Sequence, residues 1–294
     1  MVPSAQEEEY WNKVAIEAEK EELQKRVEKW HKAAKNWLAH YSDKKTRDFI
    51  VQTIKNHVKL KNGARILDVG CGAGKWVNLF AEMGFETVGI DSSPWMIRLA
   101  KSRVKTTLQS RIKFYVMNVA ELKFPDDSYD MTNCVTVLQH IFDDTRWKRA
   151  VYEMVRVTKP CGYILIFEAA PSFILKRRTP RLRFRSMKEY ISEFKSAGAR
   201  LTYWRATDLS FPITFLGLRK YAASFSKRVY YYFAGELPMF PPSFLSALSR
   251  AAAILAEPID YRLSESPLSV LSVGKILLFR KLQYDIRLRK LKTA

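Results

Sequence analysis

The segment Asp68-Val-Gly70-Cys-Gly72-Ala-Gly74 sets a carboxylate directly before three alternating glycines. Glycines at that density let a backbone turn sharply and come close to a ligand. A helix opening just after them would add unpaired N–H groups, which suit an anionic or strongly polar ligand. The order is G-x-G-x-G after an acid, whereas a dinucleotide fingerprint requires G-x-G-x-x-G. A second carboxylate, Asp91, closes the next apolar run and is followed by Ser92, Ser93 and Pro94. There it would accept hydrogen bonds from both hydroxyls of a ribose, or else begin a helix as its cap.

These side chains need a scaffold that brings them to one edge. Arg65–Val69 reads as a strand, the glycine loop follows, and a helix covers 75–83. Strands are expected at 87–91, 112–116, 129–134 and 163–167, with helices at 94–105 and 144–157 and a turn at Pro160-Cys-Gly162. Strands alternating with helices imply right-handed βαβ units and a parallel sheet covered on both faces. Ahead of them, 6–40 reads as one long helix or two shorter ones. A further amphipathic helix covers about 43–58, with Phe49, Ile50, Ile54 and Val58 on its apolar side. Beyond 170 a helix at 187–197 ending at Gly198, a strand at 199–206 and a last strand at 272–279 complete the pattern.

Residues 63–168 resemble the class I S-adenosylmethionine-dependent methyltransferases. Gly63-Ala-Arg-Ile-Leu-Asp68-Val-Gly-Cys-Gly-Ala-Gly74 is similar to that family's first motif, and Gly89-Ile-Asp91-Ser-Ser-Pro-Trp-Met96 to its second. Asn118-Val-Ala-Glu-Leu-Lys-Phe-Pro125 is similar to the adenine-side loop, and Val135-Thr-Val-Leu-Gln-His140-Ile to the turn after the fourth strand. The resemblance implies an α/β, Rossmann-like, doubly wound and mostly parallel seven-stranded sheet with an antiparallel last strand. N-terminal helices (1–60) precede the core (61–206); a helical insertion (207–270) precedes the last strand and a basic tail (271–294). It also implies S-adenosylmethionine as cofactor and no metal. Asp68 with Gly70, Gly72 and Gly74 would face the methionine end, Asp91 with Ser92 the ribose, and Asn118 with Val119 the adenine, Val135 lying alongside. The adenine-side position is usually Asp in the family and is Asn118 here.

Displacement at a sulfonium methyl is driven largely by alignment, with a polar acceptor nearby to orient the nucleophile and take its proton. Asn133, His140 and Glu168 are the candidates for that acceptor. Each has a structural alternative: Asn133 as a turn cap, His140 as a packing residue, and Glu168 as partner to a cation.

The formal charge of +20 is uneven. Residues 1–170 hold 27 Lys and Arg against 22 Asp and Glu, and residues 171–294 hold 23 against 8. Such asymmetry points to a polyanionic partner. The run 176–188 supplies Arg177, Arg178, Arg181, Arg183 and Arg185 as candidate phosphate contacts. Arginine's planar fork favours RNA, ribosomal or transfer, as the substrate expected first. The alternative is a lipid, prenylated or other small acceptor at an anionic membrane surface, supported by the apolar character of 207–270 and the basic amphipathic end. Three scattered cysteines, a start unlike a secretory signal and no long apolar run give a cytoplasmic enzyme as the expectation.

Overall fold

The computed structural model describes residues 33–172, 183–207 and 274–283, together with Lys13, Ile16 and Ser264. Its seven strands are β1 (Arg65–Val69), β2 (Glu86–Asp91), β3 (Ile112–Val116), β4 (Tyr129–Val135), β5 (Thr158–Ala169), β6 (Ala199–Ala206) and β7 (Gly274–Lys281). They form one sheet in the order β3-β2-β1-β4-β5-β7-β6. Pairs among β1 to β5 are parallel, and β7 runs antiparallel to both its neighbours. This is the Rossmann-like α/β sheet expected from the sequence, with β7 as its one reversed strand.

The helices are α1 (Ala33–His57), α2 (Lys75–Glu82), α3 (Pro94–Ser102), α4 (Asp144–Val157) and α5 (Met187–Ser196). β1 is buried at every position but Arg65, as a central parallel strand with both faces covered must be. On one face Phe49, Ile50 and Ile54 of α1, with Val58 just after it, join Ile66, Phe80, Met131, Leu165 and Leu278. On the other, Trp147 and Met154 of α4 and Tyr190 and Phe194 of α5 join Leu67, Ile90, Ile166 and Phe279. Each such side chain contributes roughly 1.5–3 kcal/mol on burial. Ser186 and Glu189 start α5 with a reciprocal capping box.

Three expectations are adjusted. The helix expected to begin near 43 is continuous with residues back to Ala33, because no glycine or proline interrupts 33–57. Pro160-Cys-Gly162 is no separate turn. It lies within β5, where the pairing with β4 slips and Cys161 takes a φ of 61°, so a bulge absorbs the bend. The last strand runs two residues later than read.

Of the insertion expected over 207–270, only Thr207 and Ser264 are described, and the tail beyond Gln283 lies outside the described residues. The two strands flanking that insertion meet: the Thr207 N–H donates to the Gly274 carbonyl at 2.9 Å. α1 is tied to the same end of the sheet, where His57 stacks on Tyr203 and Arg205 covers the Phe49 ring.

Candidate active site

Strand order reverses between β1 and β4, and a cavity of about 240 Å³ opens at the carboxyl ends of β1, β2 and β4, where such sheets hold ligands. Gly70 and Gly72 line one wall, with φ of 65° and 50°. A Cβ on Gly70 would stand 2.3 Å from Val137 Cγ2, while one on Gly72 would meet nothing within 4 Å. The first glycine therefore permits close packing of two loops, and the second leaves room at the cavity wall. Gly74 does not line the cavity; it precedes α2 and packs on Ala100 of α3.

Asp91 and Ser92 form the next wall. Asp91 accepts the Gly72 N–H on one carboxylate oxygen and the Ser93 N–H on the other, both at 2.9 Å. It therefore fastens the glycine loop, while Ser93 caps α3. Burial raises the Asp91 pKa, opposed by the N–H groups of Ser93, Gly72 and Ser92. Met117, Asn118, Val119 and Ala120 continue the wall beyond β3. The Asn118 Oδ1 accepts the Ala120 N–H at 3.0 Å, and its Nδ2 is buried without a partner.

Asp68 and Asn133 lie under the glycine loop rather than on the cavity. They are adjacent in the β1–β4 register, and Asn133 Nδ2 donates to Asp68 Oδ1 at 2.7 Å. Asp68 Oδ2 and Asn133 Oδ1 are buried and unpartnered. Burial pushes the Asp68 carboxyl up to about 7, with the Asn133 bond opposing and the Asp91 charge adding.

Glu168 is fully buried at the end of β5 and faces the loop after β4. Its carboxylate accepts the N–H groups of Val137 and Leu138 at 2.8 Å and of Gln139 at 3.1 Å. Burial raises it to about 7 against those three donors and the Arg185 charge. Of the three acceptor candidates, His140 lines the cavity; Asn133 and Glu168 do not.

Thr136, Ile141 and Arg146 also line it and were not singled out from the sequence. Thr136 holds a φ of 58°, costly for a β-branched residue and typical of strained functional loops. Its signal was the position directly after the fourth strand. For Arg146 the signal was the first turn of a helix capped by Asp143.

The arginine run divides. Arg177, Arg178 and Arg181 lie outside the described residues. Arg183 pairs with Asp144 at 2.8 Å. Arg185 is only 2% exposed, stacks on Trp147 and donates to the carbonyls of Leu138 and Ile141 and to Asp144. Its fork is turned inward to brace the loop behind the cavity, so it is placed for packing rather than for phosphate. A run of cations does not reveal which one finds a buried ring and backbone carbonyls to meet.

A methyltransferase-domain family model matches residues 66–162. A demethylmenaquinone methyltransferase of Bacillus velezensis is 32% identical over 136 residues, 45% of this chain and 55% of that protein. A tRNA (carboxymethyluridine(34)-5-O)-methyltransferase of Arabidopsis thaliana is 29% identical over 144 residues, 48% of this chain and 32% of that protein. The chain thus spans about half or less of these relatives' lengths. The [4+2]-cyclase SpnF shares the fold at a TM-score of 0.54 and 22% identity, over 81% of each chain. Residues 66–162 are thus similar to methyltransferase domains, and the sheet that carries them has the fold of solved S-adenosylmethionine-dependent methyltransferases.

Proposed function

We propose that the chain transfers the methyl group of S-adenosylmethionine to a small, largely apolar acceptor at an anionic membrane surface. The observation that carries this reading is the cavity lining, where Val135, Val137 and Ile141 line the same cavity as His140. The demethylmenaquinone relatives support it, as does a basic carboxyl-terminal part suited to acidic headgroups. The residues present fit the cofactor. Gly72 leaves open space at the wall, Asp91 keeps further lone pairs on a carboxylate facing the cavity, and Asn118 has an unmet donor there. In this reading Gly70 and Gly72 receive the methionine end, Asp91 and Ser92 the ribose, and Asn118 and Val119 the base. Asp68, Asn133 and Gly74 hold the loop in shape from behind.

The cofactor supplies an electrophilic methyl on a sulfonium. The chain supplies alignment, through a cavity wall fixed by Glu168 and Arg185, and a proton acceptor at its edge, His140. His140→Gln should lower kcat at least tenfold with little change in cofactor affinity. Unchanged kcat would remove His140 from the chemistry.

A second reading, an RNA acceptor, is favoured by the 23 Lys and Arg against 8 Asp and Glu in residues 171–294 and by the tRNA methyltransferase relative. Methyl-labelled S-adenosylmethionine incubated with the protein and an extract from cells lacking it separates the two. Label in the organic phase is the expected result. Label lost to ribonuclease would replace the apolar acceptor with RNA, and the Arg177, Arg178, Arg181 and Arg183 alanine variant should then lose RNA binding in a filter titration.

A further inference from the structure

We propose that Asn118 makes the base pocket accept a 6-oxo purine nearly as well as a 6-amino purine, so that this chain discriminates weakly against the deaminated form of its cofactor. The inference rests on the reading of Asn118 as the base-facing residue. The Asn118 side chain stands on the cavity wall just beyond β3, and its Oδ1 takes the Ala120 N–H at 3.0 Å. That bond fixes the amide, because the flipped orientation would set two N–H groups against each other. The amide's Nδ2 is left buried and without an acceptor. A buried donor in that state favours whatever ligand atom brings a lone pair.

Adenine and hypoxanthine differ at the atom that matters. The 6-amino group of adenine is itself a donor and cannot satisfy Nδ2, which must then turn to a ring nitrogen. The 6-carbonyl of hypoxanthine is an acceptor and can. An aspartate at 118 would retain the bond to the Ala120 N–H and present a second oxygen, welcoming the amino group and repelling the carbonyl. Asn118→Asp is thus a reversal of polarity at nearly constant shape.

The test is calorimetric titration of the full chain with S-adenosylhomocysteine and with S-inosylhomocysteine. For the unaltered protein the two affinities should lie within about tenfold of each other. Asn118→Asp should tighten the adenine ligand and weaken the hypoxanthine one, widening their ratio by roughly a hundredfold. A parent that already prefers adenine by more than about a hundredfold would overturn the proposal. So would an Asn118→Asp ratio that stays put while Asn118→Ala weakens both ligands. If Asn118→Ala leaves both affinities unchanged, the base does not lie at Asn118, and the site reading falls along with the proposal.

Discussion

Asp68 and Glu168 are carboxylates held out of water, and burial raises each to about 7. In the unfolded chain both would ionise near their ordinary values, so between about pH 4.5 and 7 the folded state binds more protons. Their stabilising contribution is therefore complete in acid and is lost as the pH rises through 7. The slope should be about 1.4 kcal/mol per pH unit for each group across that window. Urea midpoints measured from pH 5 to 8 should fall and then level, and Asp68→Asn should remove about half of the fall. A midpoint that climbs with pH would mean both groups are ionised throughout. Asp91 acts differently, since its two oxygens tie the glycine loop to the start of α3. Asp91→Ala should cost S-adenosylmethionine at least a hundredfold in affinity by calorimetry, through both the loop and the lost ribose acceptor; normal binding would refute its placement.

The loop from Thr136 to Ile141 is the element on which the acceptor side of the cavity depends. Glu168 holds three of its N–H groups, the Gln139 Oε1 accepts the Ala169 N–H, and Arg185 donates to two of its carbonyls. Arg185→Ala leaves the Ile141 carbonyl unmet and uncovers Trp147, so it should lower stability by about 2–4 kcal/mol in urea unfolding and reduce kcat more than cofactor affinity. Ser186→Ala, which removes only a helix cap, should cost about 1 kcal/mol and leave kcat unchanged. Much of this framework was legible in the sequence. Apolar runs closed by Asp68 and Asp91 fix strand ends, and the glycine spacing fixes the turn between. Asn133 and Glu168 were visible as polar groups at strand ends, yet their partners were not, because those depend on which strands become neighbours. Sequence spacing also carries no information on side-chain direction, which is why Arg185 read as a phosphate contact while Thr136 and Arg146 went unremarked.

For the molecule as a whole, charge is the strongest global property, and on the proposed membrane reading binding weakens with salt. The chain should float with vesicles rich in phosphatidylglycerol at low ionic strength and be released as salt rises; indifference to vesicle charge would count against the surface reading. No helix among the described residues is long and apolar enough to cross a bilayer. The bond from Thr207 to Gly274 has a separate meaning for how such a protein diversifies. The strands on either side of 208–273 are themselves paired, Ala206 with Lys275, and Ser264 from within that stretch accepts from Arg205 and from the Ala206 N–H. Closing a loop between ends already paired costs only logarithmically in its length, so the β6–β7 pairing itself tolerates a longer or shorter connection. Length can then vary at that point over generations without disturbing the strands whose ends form the cavity.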